Sequence, residues 1–306
     1  MHNKVYFGDK LVPASEARLS IASSAVLYGL SVYTVFPVCI TSTGEKVAFR
    51  LEDHFQRLLD SARIIGIDSF EKEWNYEKFV VAVKNLINAN IVKKDVYIRT
   101  TVHVDAEIAG TKSRGLSTVL SMFVYDAVPI LNPKGSRVKT SVWRRIPDCA
   151  IPSRAKVNGA YVNSVLAKQD AIDSGYDDCV FLDVDGHVCE LSAANIFIVR
   201  HGKLITPDTT HDLLEGINRR TIIDIARKEL KLEVVERSID LTELYIADEV
   251  FASGTSANVA PIVEVDARKI ANGLPGKITK ELQAFHKKLL TSRTFQFDNH
   301  ITIIDT

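Results

Sequence analysis

The chain has 306 residues, 46% hydrophobic and 25% charged, a composition that supports a sizeable core and points to two domains or one large one. Its 38 basic and 38 acidic side chains cancel, which speaks against a nucleic-acid or polyanion binder. No apolar run reaches the roughly 18 residues of a membrane span. The start Met1-His2-Asn3-Lys4 lacks a signal peptide's apolar stretch, so a cytoplasmic protein without membrane contact is expected. Cys39, Cys149, Cys179 and Cys189 show no CxxC spacing and read as small buried hydrophobes. The eight histidines form no HxxxH or HxH pair, so no metal site is expected.

In chain order, Val5-Tyr6-Phe7 and Lys10-Leu11-Val12 flank Gly8-Asp9 and predict a hairpin. Ser31 to Ile40, rich in β-branched and aromatic residues, reads as a strand, with Lys46 to Phe49 pairing back. Leu51, Phe55, Leu58, Leu59 and Ala62 recur on one helical face, giving a helix from about Leu51 to Ile65. A second helix spans about Tyr76 to Ala89, followed by strands at Val96 to Val104 and Leu116 to Tyr125. Asp126 to Ser136, with two prolines and Gly135, is the expected linker between residues 1–125 and 137–306. Beyond it come a strand near Val138 to Val142, a helix from Tyr161 to Ser174, and hairpins turning at Asp183-Val184-Asp185-Gly186 and His201-Gly202. A helix from Gly216 to Leu230, strands near Leu232 to Val235, Glu249 to Ala252 and Asn258 to Val265, and a helix from Ile278 to Leu290 complete the series. After Ser292 no element is expected.

Five features carry chemistry, and each has a plain reading too. Lys156, in Ala155-Lys156-Val157-Asn158-Gly159, is either a solvated charge or an amine kept among small apolar neighbours for nucleophilic use. Glu190 ends a strand; beside a pyridine nitrogen, such a carboxylate keeps that nitrogen protonated and the ring an electron sink. Gly216 opens a helix whose Ile217 and Asn218 N–H groups form a ready phosphate site, though a glycine at a helix start is commonplace. Arg57 suits either a surface ion pair or a forked phosphate contact. Ser253-Gly254-Thr255-Ser256 is either a turn or an anion-holding loop.

Order and spacing join these features. Glu190, Ser192, Asn195, Ile196 and Phe197, then Leu204, Thr206, Leu214, Gly216, Ile217 and Arg219, follow the long gapped signature of the class IV aminotransferases. The chain resembles that family from about Phe7 to Leu290, and is most similar to its branched-chain amino acid members. The resemblance implies an α+β, fold type IV enzyme of the D-amino-acid-aminotransferase kind, a homodimer using pyridoxal 5′-phosphate, and transfer of an amino group from a branched-chain L-amino acid to 2-oxoglutarate. It implies two domains, a small one at 1–125 and a large one at 137–306 built from antiparallel strands and helices, the latter carrying the cofactor lysine. Lys156 looks like the lysine that binds the cofactor and shuttles the proton, and Glu190 like the partner of the pyridine nitrogen. Arg57, Ile217, Asn218 and Thr255 resemble phosphate ligands, and Tyr161 the tyrosine on the phenolic oxygen. Tyr33, Val35, Tyr97, Arg99, Ser256 and Ala257 resemble substrate positions, as does Tyr28, which in relatives reaches the neighbouring subunit's site. One departure stands out: where branched-chain enzymes carry Phe-Glu-Gly-aliphatic-Arg, this chain has Tyr33-Thr34-Val35-Phe36-Pro37. That pattern is similar to D-amino-acid and (R)-amine transaminases, which remain the alternative, and aminodeoxychorismate lyase shares much of the signature.

Overall fold

The computed structural model describes residues 2–291 and 300–305. Its elements are β1 (Lys4–Phe7), β2 (Lys10–Pro13), α1 (Ser24–Tyr28), β3 (Ser31–Ile40), β4 (Lys46–Phe49), α2 (Leu51–Ile64), α3 (Phe70–Glu73), α4 (Tyr76–Ala89), β5 (Val96–Val104) and β6 (Thr118–Asp126). They continue with β7 (Ser136–Thr140), α5 (Tyr161–Asp173), β8 (Asp178–Leu182), β9 (Val188–Leu191), β10 (Asn195–Arg200), β11 (Lys203–Thr206), α6 (Ile217–Lys228), β12 (Val234–Glu236) and α7 (Leu241–Tyr245). The last are β13 (Glu249–Gly254), β14 (Asn258–Val265), β15 (Arg268–Lys269), α8 (Lys277–Thr291) and β16 (Ile301–Ile303). Packing divides the chain into two units. The first gathers the described residues of Met1–Ala127, Ala155–Gly159 and Leu289–Thr306; the second holds Val128–Arg154 and Ala160–Lys288.

In the first unit, a seven-stranded antiparallel sheet runs β16-β4-β3-β5-β6-β1-β2. The expected Gly8 turn joins β1 to β2, with Gly8 at φ +69°. Strand β3 pairs along almost its whole length with β5, from Ser31↔His103 to Val38↔Val96. Alternation gives β3 two faces. Phe36, from one of them, meets His54 of α2 and Phe79 of α4 at ring centroids 5.7 and 5.9 Å away. Phe55 and Phe70 continue that aromatic core. Each fully buried side chain of this kind contributes roughly 1.5–3 kcal/mol.

The Lys156 segment, expected with the C-terminal residues, packs with the first unit instead, because its backbone extends the sheet. Tyr33 N–H donates to Lys156 O at 3.0 Å and Asn158 N–H to Ser31 O at 2.9 Å. An isolated bridge joins Val32 to Val157. Gly29 holds φ +64°, and a Cβ there would come within 3.0 Å of Gly159 Cα, so this close approach of two backbones requires glycine.

The second unit is built on a nine-stranded sheet in the order β12-β11-β10-β13-β14-β7-β8-β9, with β15 against β14. An added pairing of β9 with β10, Glu190↔Asn195, closes β9, β10, β13, β14, β7 and β8 into a ring. The antiparallel sheet expected here is mixed: β11·β12, β14·β7 and β7·β8 are parallel. Parallel neighbours need long crossovers. Helix α5 supplies the one between β7 and β8, and α6 the one between β11 and β12. Val180, Leu191, Ile196, Ile198, Val250, Ala252 and Ile262 fill the core. Cys39, Cys179 and Cys189 are buried as expected, whereas Cys149 is exposed on a loop without apolar cover. Among the described residues no helix is long and apolar enough to cross a membrane. The residues after Ser292, for which no element is expected, lie outside the described residues until 300, and β16 follows them.

Candidate active site

In the first unit, Lys156 and Arg57 meet through one hydroxyl. Ser61 Oγ accepts the Lys156 N–H at 3.0 Å and donates to the Arg57 carbonyl at 2.7 Å. Arg57 is the seventh residue of α2, and its guanidinium Nη2 donates to Thr34 Oγ1 at 3.2 Å. Thr34 lies 2.9 Å from Nδ1 of His54, which is buried one turn earlier on the same helix. Thr34 belongs to the face of β3 that looks to α2, so strand alternation and the i, i+3 step from His54 to Arg57 build this chain.

The other face of β3 carries Tyr33 and Val35. The Lys156 Nζ is 4.8 Å from the centroid of the Tyr33 ring, and the Arg99 guanidinium lies over the same ring at 3.7 Å. Arg99 Nη2 also donates to Asn158 Oδ1 at 2.6 Å, and Asn158 Nδ2 to Ser31 Oγ at 2.6 Å. In the β3·β5 register, Val35 stands opposite Arg99 and Pro37 opposite Tyr97. Tyr97 is buried against Tyr125, ring centroids 5.7 Å apart. On the same strand, His103 is pushed down to about 4, by burial first and by the Arg99 charge second. Tyr28 stands apart from this group: it ends α1, 45% exposed, its hydroxyl accepting the Gly110 N–H at 3.3 Å.

In the second unit, Glu190 sits where β9 closes onto β10. Its Oε1 is 2.9 Å from Arg145 Nη2, with side chains only 7% and 11% exposed. Its Oε2 accepts Asn195 Nδ2 at 3.1 Å, with the Leu214 N–H at 3.4 Å. Burial works against the Arg145 charge, yet Glu190 and the further acidic neighbours hold its pKa above the ordinary value. A carboxylate so buried stays ionised only where such a partner offsets desolvation.

Gly216 caps α6 in an extended conformation and, being glycine, brings no capping side chain of its own. The first-turn N–H groups of an α-helix have no partner within the helix. Asn218 Nδ2 donates to Gly254 O at 2.9 Å, tying this helix start to the end of β13 and the turn of Thr255 and Ser256. Gly216 is tightly fitted: a Cβ there would collide with Asn195 Oδ1. Ala257 is buried, and Ser256 O accepts the Ile130 N–H at 3.0 Å. Tyr161 is the first residue of α5. Arg219, the basic residue of the signature, is buried and holds Pro207 O at 2.8 Å and Glu236 at 2.9 Å, a structural task.

The structure thus brings Arg57, Lys156, Tyr33 and Arg99 together in one unit, and Glu190 with the α6 start in the other. Sequence reasoning missed Thr34, His54, Ser61, Asn158 and Arg145 as their supports. His54 and Ser61 left a signal, their helical spacing from Arg57; Thr34, Asn158 and Arg145 are joined to the residues they support by chain returns of 23 residues or more.

A buried carboxylate fixed by an arginine and a helix start at a glycine, tied to a glycine-bearing turn, are features that suit an anionic ligand. The family model described as amino-transferase class IV matches residues 32–265, most of the chain. The chain belongs to that family, and its architecture is that of a fold type IV α+β enzyme. A probable branched-chain-amino-acid aminotransferase of Aquifex aeolicus is 38% identical over 299 residues, 97% of this chain and 95% of that protein. The branched-chain aminotransferase of Thermoproteus uzoniensis, solved with norvaline, superposes with a TM-score of 0.94 at 33% identity, covering 99% of this chain and 100% of that one. The branched-chain amino acid aminotransferase of Thermobaculum terrenum, solved in its PLP-bound holo-form, gives a TM-score of 0.92 at 33% identity, covering 100% of this chain and 99% of that one.

Proposed function

We propose that the chain is a pyridoxal 5′-phosphate-dependent transaminase moving the amino group of a branched-chain L-amino acid to 2-oxoglutarate. The observation that carries this reading is the Lys156 segment, its main chain clamped by Tyr33 and Ser61 and its amine set against the Tyr33 ring. The names of the full-length relatives support the substrate class. The residues also fit the cofactor. The α6 start has a glycine at its cap, which brings no capping side chain, so Ile217 and Asn218 N–H groups, with Thr255, suit its phosphate. Arg57 adds a forked cation, and Glu190 suits the pyridine nitrogen while Tyr161 suits the phenolic oxygen.

When bound, the cofactor supplies an electron-withdrawing ring conjugated to the substrate nitrogen, which makes the substrate Cα proton acidic. Lys156 Nζ takes that proton from the donor and, in the second half-reaction, returns one to the acceptor's Cα. Glu190, paired with Arg145, would hold the proton on the pyridine nitrogen. Arg99 receives the distal carboxylate of 2-oxoglutarate, while Tyr33, Val35 and Tyr97 give an apolar wall for the donor's side chain. Tyr28, Ser256 and Ala257 complete the substrate positions. A cytoplasmic homodimer is part of the same reading, supported by the exposed apolar side chains of Val26, Leu27 and Tyr28 on α1 and of Trp143, Val162 and Val165. A two-domain chain is part of the same reading, supported by the two packing units, of which the first holds the Lys156 segment.

Half-reactions followed by cofactor absorbance test this reading. L-leucine and L-valine should react faster than D-alanine and (R)-1-phenylethylamine, and 2-oxoglutarate should regenerate the starting form. Borohydride reduction and peptide mapping should label Lys156. A preference for D-alanine or the (R)-amine overturns the substrate assignment, and a label on another lysine overturns the site.

A further inference from the structure

The histidines show no ligand spacing along the chain, but the second unit folds two of them together. His187 directly precedes β9, and His211 lies in the stretch between β11 and α6. Their ring centroids are 5.3 Å apart. Asp183, buried just past the end of β8, reaches both: Oδ2 is 2.7 Å from His211 Nδ1, and Oδ1 is 3.9 Å from His187 Nδ1. One ligand atom from each residue lies within 4.8 Å of those of the other two.

We propose that Asp183, His187 and His211 form a binding site for a divalent first-row transition ion, with Zn2+ as its natural probe. Two imidazoles and a carboxylate are a donor set suited to such ions rather than to Mg2+ or Ca2+. Ligand atoms about 2.0–2.1 Å from a tetrahedral Zn2+ lie roughly 3.4 Å apart. The 2.7 Å between Asp183 Oδ2 and His211 Nδ1 is below that value and the three ligand atoms lie within 4.8 Å of one another, so side-chain rotations complete the triad.

The outer contacts favour the same assignment, because a metal-bound histidine usually has a partner on its second nitrogen. His211 Nε2 is 2.7 Å from Ser238 Oγ, which as acceptor leaves the Nδ1 lone pair for the ion. Asp183 Oδ1 accepts the N–H groups of Asp185 at 3.0 Å and His187 at 2.8 Å, leaving Oδ2 as the ligand atom. His187 Nδ1 is buried and has no hydrogen-bond partner among the described residues. Its Nε2 faces Asp240 Oδ1 at 3.7 Å, a carboxylate on the outer side. Asp208, 3.8 Å from His211 Nε2, adds a further negative charge.

The ion would pin three strands of chain: the β8–β9 turn, the stretch leading to Leu214 and Gly216, and the residues at 238–240. Its task is structural: the ion pairs and hydrogen bonds of the His187 and His211 rings described above reach Asp183, Asp208, Ser238 and Asp240, none of them assigned to the reaction. The holoenzyme, stripped with EDTA and passed into metal-free buffer, is titrated with Zn2+ in competition with a chromogenic chelator. One Zn2+ per chain is expected, with a rise in the thermal midpoint. His187→Ala, which leaves the Asp183–His211 hydrogen bond intact and so keeps the fold, should weaken binding about a hundredfold and abolish the rise. Ser238→Ala, acting through His211, should weaken it about tenfold. Absence of stoichiometric Zn2+ binding to the wild type, or binding to His187→Ala as tight as to the wild type, overturns the proposal.

Discussion

Replacing Arg145 by methionine leaves Glu190 as a stranded charge. The two side chains are 11% and 7% exposed and their charged atoms 2.9 Å apart, so little water reaches the pair. Breaking a buried pair by removing one partner costs about 3–5 kcal/mol, mostly from the charge left behind. Glu190 keeps the Asn195 amide at 3.1 Å and the Leu214 N–H at 3.4 Å. The low end, about 3 kcal/mol, is therefore expected. The lost Arg145 Nε bond to Asp212 O, at 3.3 Å, adds little. Urea midpoints of the cofactor-free protein, at one fixed concentration, measure the loss. The double variant Arg145→Met with Glu190→Gln should recover most of it, because a neutral amide needs no cation. A loss under about 1 kcal/mol, or a double variant no more stable than the single one, refutes the ion-pair reasoning.

Arg57→Ala should weaken cofactor binding by about 1.5–3 kcal/mol, the worth of one charge-assisted contact; an unchanged dissociation constant for pyridoxal phosphate removes Arg57 from the phosphate site. Gly216→Ala forces a Cβ into Asn195 Oδ1, displacing the amide that serves Glu190. Weaker cofactor binding and a lower thermal midpoint should follow, and wild-type values for both would count against that coupling. His286 is buried and pushed down to about 4 by that burial, from an ordinary 6.5. The folded chain then binds fewer protons than the unfolded one between pH 6.5 and 4, so stability is full above 6.5 and falls through that window. The span is worth about 3 kcal/mol, and His286→Leu should flatten the fall in thermal midpoint, an equally steep fall in the variant being the contrary result.

Elements with a strong local period were legible. β3 falls where its β-branched and aromatic residues put it, and α2 where its helical stripe does, since burial of one helix face sets that stripe. The short elements α1, α3 and α7 were not, because five residues or fewer hold no period. Strand direction was missed for a different reason. The parallel pairing of β7 with β14 and β8 depends on long-range crossovers, while the hairpins at 183–186 and 201–202 made an antiparallel sheet the natural expectation. The Lys156 segment was assigned by its position in the chain, yet main-chain bonds to β3, which no side-chain pattern encodes, decide where it packs.

The departures at Val35 and Pro37 show the same limit and give it a use. In sequence they are two altered positions in a motif, far from Tyr97 and Arg99. Register makes them direct cross-strand neighbours: Val35 opposes Arg99 and Pro37 opposes Tyr97. Directly opposed side chains in an antiparallel pair are about 4.5–5.5 Å apart at Cβ, close enough to restrict one another. Where branched-chain relatives pair a glycine and an arginine with these positions, this chain places a branched aliphatic group and a rigid ring. Val35 stands opposite Arg99, whose guanidinium is already stacked at 3.7 Å on Tyr33 and bonded to Asn158. A cation held so firmly has little freedom to follow a carboxylate, and no second arginine stands at position 37 to share it. The proposed site therefore should accept 2-oxoglutarate loosely, while the apolar wall built from the same substitutions favours a branched donor side chain.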